Sequence, residues 1–124
     1  MEVQIDLKGC EDKEKVLLKF GDVFVFGGPN GNVPIETGVY GKGWGVNWDA
    51  LVDCLRRLEI GGIHGTSPKM EFPLSLVIVN YKSFKDNQPR EFNTLVEILE
   101  FLKREYAEKG KTFEYGFRVG SEDA

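Results

Sequence analysis

Asp49 and Asp53 stand four residues apart in the run Trp44-Gly45-Val46-Asn47-Trp48-Asp49-Ala50-Leu51-Val52-Asp53-Cys54-Leu55. On a helix that spacing puts both carboxylates on one side, a turn apart. Such a pair can exchange protons as a general acid and base, or offer concentrated negative charge to a cationic partner. Acid/base work requires surroundings that separate the two pKa values, and a solvated helix face does not supply them. A plainer account also covers both residues. Asp49 in the first turn suits the helix dipole, and Asp53 can pair with Arg56 or Arg57 on an ordinary wet face.

Other chemistry finds little footing. His64 is the only histidine and lies in Ile60-Gly61-Gly62-Ile63-His64-Gly65-Thr66-Ser67, a glycine-rich loop with no carboxylate or nucleophile close by in sequence. Cys10 and Cys54 are far apart and lack metal-ligand spacing, so reduced thiols are expected, Cys54 in the core. Gly41, Gly43 and Gly45 precede a helix start, where phosphate can bind. Their spacing is not a dinucleotide fingerprint, and no Gly-Lys-Ser/Thr follows. No enzyme activity, cofactor or metal is predicted.

The acidic pair needs a helix to hold it. Asn47 is a natural N-cap. Trp48, Leu51, Val52, Leu55 and Leu58 form an apolar stripe at helical spacing, which leaves Asp49 and Asp53 facing outward. Like charges so placed cost a few tenths of a kcal/mol in an isolated helix, a small penalty that invites a reason. Aromatic anchors and desolvated charges make the strongest protein contacts. Trp44 beside the helix start is therefore a contact candidate, or else a lid over the helix end. Tyr40 is a weaker candidate, and Trp48 belongs with the core.

The chain has 124 residues, 41% of them hydrophobic, which suits one domain over 1–120 with a frayed acidic tail at 121–124. A net charge of −4 argues against direct nucleic-acid binding and suits a basic protein partner. The start Met1-Glu2-Val3-Gln4-Ile5-Asp6-Leu7 has no basic or long apolar run, and no stretch is apolar enough to span a bilayer. A cytoplasmic location without membrane contact is the expectation.

Val3, Ile5 and Leu7 alternate with polar residues as a strand does. Residues 11–27 read as a short helix or turn, with a Gly21-Asp22 turn leading into extended Val23-Phe24-Val25-Phe26. A loop runs from the turn cluster at 27–32 to Gly45. Leu74-Ser75-Leu76-Val77-Ile78-Val79 has the near-continuous apolar pattern of a strand covered on both faces. Thr94-Leu95-Val96-Glu97 reads as a capping box opening a helix through Leu95, Ile98, Leu99, Leu102 and Tyr106, which Gly110 stops. Phe113, Tyr115, Phe117 and Val119 alternate as a last strand. The order requires a small α/β layer fold, with a mainly parallel three-stranded sheet and helices on mainly one side.

The string Gly45-x-Asn47-Trp48-Asp49-Ala50-Leu51-x-Asp53-Cys54-Leu55 resembles the helix signature of the barstar family, intracellular protein inhibitors of small secreted ribonucleases. Pro73-Leu74-Ser75-Leu76, with the run to Phe84, is similar to that family's second strand. Glu108-Lys109-Gly110 and the strand after it are similar to its C-terminal part. The likeness covers residues 40 to 119, and the family pattern would place a helix near 11–27.

The resemblance implies that a helix and its preceding loop plug the cleft of a basic ribonuclease. The residue matching Asp53 enters the substrate-phosphate site, and that matching Asp49 adds a second acidic contact. Gly45, Asn47 and Trp44 match the motif's glycine, asparagine and aromatic contact. Val52 and Gly43 stand where the best-known inhibitor carries aromatics. A third acidic contact falls on Glu105 or Glu108, which an i,i+4 ion-pair network would equally explain. The expected function is inhibition, immunity-type, of a basic ribonuclease or nuclease toxin. The alternatives are a barstar-like scaffold or regulatory domain without inhibition, and a small hydrolase using the acidic pair.

Overall fold

The computed structural model describes residues 1–26, 45–60 and 69–119. Three strands, β1 (Glu2–Asp6), β2 (Leu74–Val79) and β3 (Phe113–Arg118), form one sheet in the order β1-β2-β3. Both pairings are parallel, with Ile5 opposite Ile78 and Leu76 opposite Tyr115. Parallel neighbours require long crossovers. The second crossover carries α3 (Lys82–Asn87) and α4 (Pro89–Glu108). The first includes α1 (Lys13–Phe24) and α2 (Trp48–Leu55), with a 3-10 turn at Leu58–Ile60. This is the α/β architecture expected from the sequence.

The hydrophobic core lies on one side of the sheet. Ile5, Leu74, Leu76, Ile78 and Phe113 share that side by register and join Leu17, Phe20, Leu51, Leu99 and Tyr106 in one buried cluster. Val77 and Val79 are also buried, but they stand outside that cluster on the side carrying Gln4, Ser75, Glu114 and Arg118. β2, expected as a strand covered on both faces, is buried on both, although only one of them packs into the core cluster. Its continuous apolar run reflects a central position between two strands whose own alternate residues are polar. The β2 run also stops at Val79; Phe84 is buried within α3 rather than in a strand.

Two further readings are corrected. Residues 13–24 are a single helix, and Val23-Phe24 belongs to it rather than to an extended segment. Asp12 caps it, its carboxylate accepting from the Lys15 amide at 2.9 Å. Val16, Leu17, Phe20, Gly21 and Phe24 recur at helical spacing and are buried. Burial of that face overrides the β propensity of the Val and Phe residues. The helix ends at Val25, which takes a left-handed φ of 56° usually left to glycine. Likewise, α4 begins at Pro89, so Thr94 lies inside the helix and no capping box forms. Its hydroxyl instead donates to the Arg90 carbonyl at 3.1 Å. At the other end Gly110, with φ 75°, closes α4 as expected, and the Lys111 amide donates to the Tyr106 carbonyl at 2.9 Å.

Candidate functional site

The acidic helix α2 has eight residues, WDALVDCL. A helix that short is marginal in water by itself, so its neighbours must hold it. Leu51, Cys54 and Leu55 are its buried residues, and Leu58 follows in the same core. Trp48 and Val52, assigned to the stripe from spacing, are only half-buried flanks, and Cys54 takes the central place. Burial pushes the Cys54 thiol up to about 12, with the Asp53 charge adding to the shift, so the free thiol stays protonated.

The N-terminal end is built from the predicted cap. The Asn47 carbonyl oxygen accepts from the Ala50 amide at 2.8 Å, and its amide nitrogen donates to the Gly45 carbonyl at 3.0 Å. Gly45 is required by close approach: a Cβ there would meet the Ala50 Cβ at 2.9 Å. Between them Val46 holds a φ of 42°, a left-handed conformation that costs a β-branched residue about 1–2 kcal/mol. The first residue of the helix, Trp48, donates its indole N–H to the Glu91 carboxylate at 2.5 Å. Glu91 lies in the first turn of α4.

The C-terminal end is tied to the far part of α4. The Tyr106 hydroxyl donates to the Leu55 carbonyl and accepts from the Leu58 amide at 3.2 Å, all buried. Desolvation, ahead of the Glu59 charge, raises the Tyr106 pKa and keeps the hydroxyl able to donate. Arg56 pairs with Glu105 of α4 at 2.9 Å. The Lys109 ammonium reaches the Arg56 carbonyl at 3.4 Å and Glu59 at 3.5 Å. α2 is therefore bolted to one neighbouring helix at both ends. Glu91, Tyr106 and Lys109 were not singled out from the sequence. A buried tyrosine announces that its hydroxyl needs a partner, but not which one.

Asp49 and Asp53 are exposed on the outer side of this fixed helix, and neither carboxylate has an ion pair or hydrogen bond among the described residues. Asp53 does not pair with Arg56, whose guanidinium is held by Glu105 across the two helices. That cross-helix pair also replaces the i,i+4 network considered for Glu105. Asn47 and Gly45 adjoin the pair at the helix start. Gly43, Trp44, Tyr40 and His64 lie outside the described residues. Among the described residues no group of three or more His, Cys, Asp or Glu side chains is arranged to hold a metal, and no helix is long and apolar enough to cross a membrane.

No curated protein gives a significant sequence match to this chain. A family model, Barstar (barnase inhibitor), matches residues 39–118, well over half of the 124. The matched span takes in the capped acidic helix, the α4 that carries it, and the two strands β2 and β3. With its parallel three-stranded sheet and its outward acidic pair, this chain belongs to the barstar family.

Proposed function

We propose that this protein is an immunity-type inhibitor of a basic ribonuclease or nuclease toxin, and that α2 with its preceding loop plugs the enzyme's cleft. The observation that carries this reading is the pair of exposed carboxylates at Asp49 and Asp53, without a partner among the described residues, on a helix secured at both ends. A cleft that binds RNA phosphate is lined with cations, and a carboxylate presented on a rigid support competes for them. Preorganisation removes much of the ordering cost of binding. Water exclusion then strengthens the contact: two unit charges 4 Å apart attract by roughly 1 kcal/mol in bulk water and about 4 kcal/mol at the effective dielectric near a protein surface.

In this mechanism the inhibitor performs no chemistry. Asp53 occupies the place of a substrate phosphate, and Asp49 meets a second cation one turn away. Gly45 and Asn47 shape the approach to the helix, and Gly43 and Trp44 are assigned as further partner contacts by the family pattern. Glu105 contributes through the Arg56 pair at the edge of the contact. The working unit spans 1–120 and acts in the cytoplasm, where it shields the cell's RNA from its partner nuclease.

The test is a titration of the intact chain into barnase and other small basic ribonucleases while RNA cleavage is followed. Stoichiometric loss of cleavage, weakened by added salt, is the expected result. A chain that binds and inhibits none of them, including the basic nucleases encoded beside it, would instead be a barstar-like scaffold.

A further inference from the structure

The outer side of α2 does not end at Asp53. Arg56 caps the helix and Arg57 follows it in a turn, both exposed, so the exposed charges from Asp49 onward run negative, negative, positive, positive. Arg56 is engaged by Glu105, whereas Arg57 is exposed and makes no ion pair among the described residues. Beside it Arg56, Arg57, Glu59, Ile60 and Lys109 surround a hollow of about 220 Å³. Ile60 is 51% exposed there. Three cations face two carboxylates, Glu59 and Glu105, so this corner is locally positive on a chain of net charge −4.

The helix dipole accounts for cations at this end of α2. It does not remove them from whatever docks. Arg57 follows Asp53 by four residues, just past the end of the helix, with its amide donating to the Cys54 carbonyl at 3.2 Å, while a stable interface covers roughly 800 Å² on each partner. A nuclease that swallows Asp53 therefore also covers Arg57. A uniformly basic partner would bury that guanidinium against like charge, which opposes binding.

Resting on the inhibitor reading above, we infer that the recognised surface is bipolar. Next to the cations that receive Asp53, the partner nuclease carries an acidic side chain that seats over Arg57 at the mouth of the hollow. The Glu59 carboxylate in the lining repels a like charge that enters further, which keeps the incoming carboxylate at the rim rather than deep inside. Arg57 thus selects among basic nucleases by the acidic residue at the edge of the cleft.

Two measurements test this. With a ribonuclease that the wild-type chain inhibits, Arg57→Glu should raise the inhibition constant about tenfold or more, and Arg57→Ala should raise it by less. Tighter inhibition by Arg57→Glu overturns the inference, because that is the response of a wholly basic partner surface. The second measurement is an amide-shift NMR titration of the intact chain at low salt with trilysine and, separately, triglutamate. Trilysine should move the Asp49 and Asp53 amides, and triglutamate those of Arg57 to Ile60, the latter response vanishing in Arg57→Glu. A triglutamate response that ignores this substitution sinks the bipolar surface alone. Silence of Asp49 and Asp53 towards trilysine counts against the inhibitor reading beneath it.

Discussion

Asp53 and Cys54 are adjacent in the chain and opposite in every physical respect. One is an exposed carboxylate without a partner among the described residues, the other a buried thiol among leucines. Removing the charge should therefore separate recognition from folding. Asp53→Ala is expected to weaken inhibition by at least about 2 kcal/mol, roughly thirtyfold, as for a central charged hot spot. Its melting temperature should hold or rise slightly, because the i,i+4 repulsion with Asp49 disappears. A melting temperature that falls along with inhibition would show that Asp53 supports the fold instead. The cysteine gives the complementary expectation. With its pKa at about 12 and its sulfur in the core, Cys54 should resist a thiol-labelling reagent at pH 8 until denaturant unfolds the chain.

At the scale of elements, the link between α2 and α4 makes the sharpest prediction. Tyr106→Phe keeps the ring but strands the buried Leu55 carbonyl and Leu58 amide, at a cost of about 1–3 kcal/mol in denaturant unfolding. Inhibition should weaken as well, because the C-terminal end of the acidic helix loses its anchor. At the close of α1, Val25→Gly should stabilise by about 1 kcal/mol by relieving the left-handed backbone. These two elements also show what the sequence could and could not say. Asn47 and the leucines of α2 stated their own cap and face, because both signals lie within one turn. The stripe of α4 was equally legible from Leu95 to Tyr106, but its start was misplaced. Thr94 and Glu97 satisfy the capping pattern, yet Pro89 already starts the helix upstream and Phe92 continues its buried face. At the end of α1 local propensity pointed to an extended Val23-Phe24, and burial of Phe24 against the core made that segment helical. The cross-helix partners Glu91, Glu105 and Lys109 were not legible at all, since pairing across 43 to 53 residues is set by the packing of two helices.

Across the whole molecule, the sheet joins segments far apart in sequence, and one polar clasp reports on its integrity. Asp6 at the end of β1 accepts from the Asn80 side chain at 2.8 Å and from the Lys8 amide at 2.9 Å. Those two bonds hold its carboxyl below the usual carboxylate range. A carboxyl lowered on folding adds stability above its unfolded pKa of about 3.9 and loses it as the pH falls through the folded value. Asp6→Asn should thus unfold more easily than wild type at pH 7, and the two denaturation curves should converge in strong acid. A gap unchanged by pH would mean that the clasp works through shape rather than charge.

The division of labour within α2 has an evolutionary consequence. Its leucines and Cys54 face the core, its terminal ties run to α4, and Asp49 and Asp53 face outward, with Arg57 exposed just past its end. Lineages diverging under pressure from a changing toxin can rewrite those outward letters without endangering the chain's ability to fold. Natural variation should accordingly pool at positions 49, 53 and 57 while Leu51, Leu55 and Tyr106 stay still, and a laboratory library confined to the outward three should retarget the inhibitor with few misfolded members.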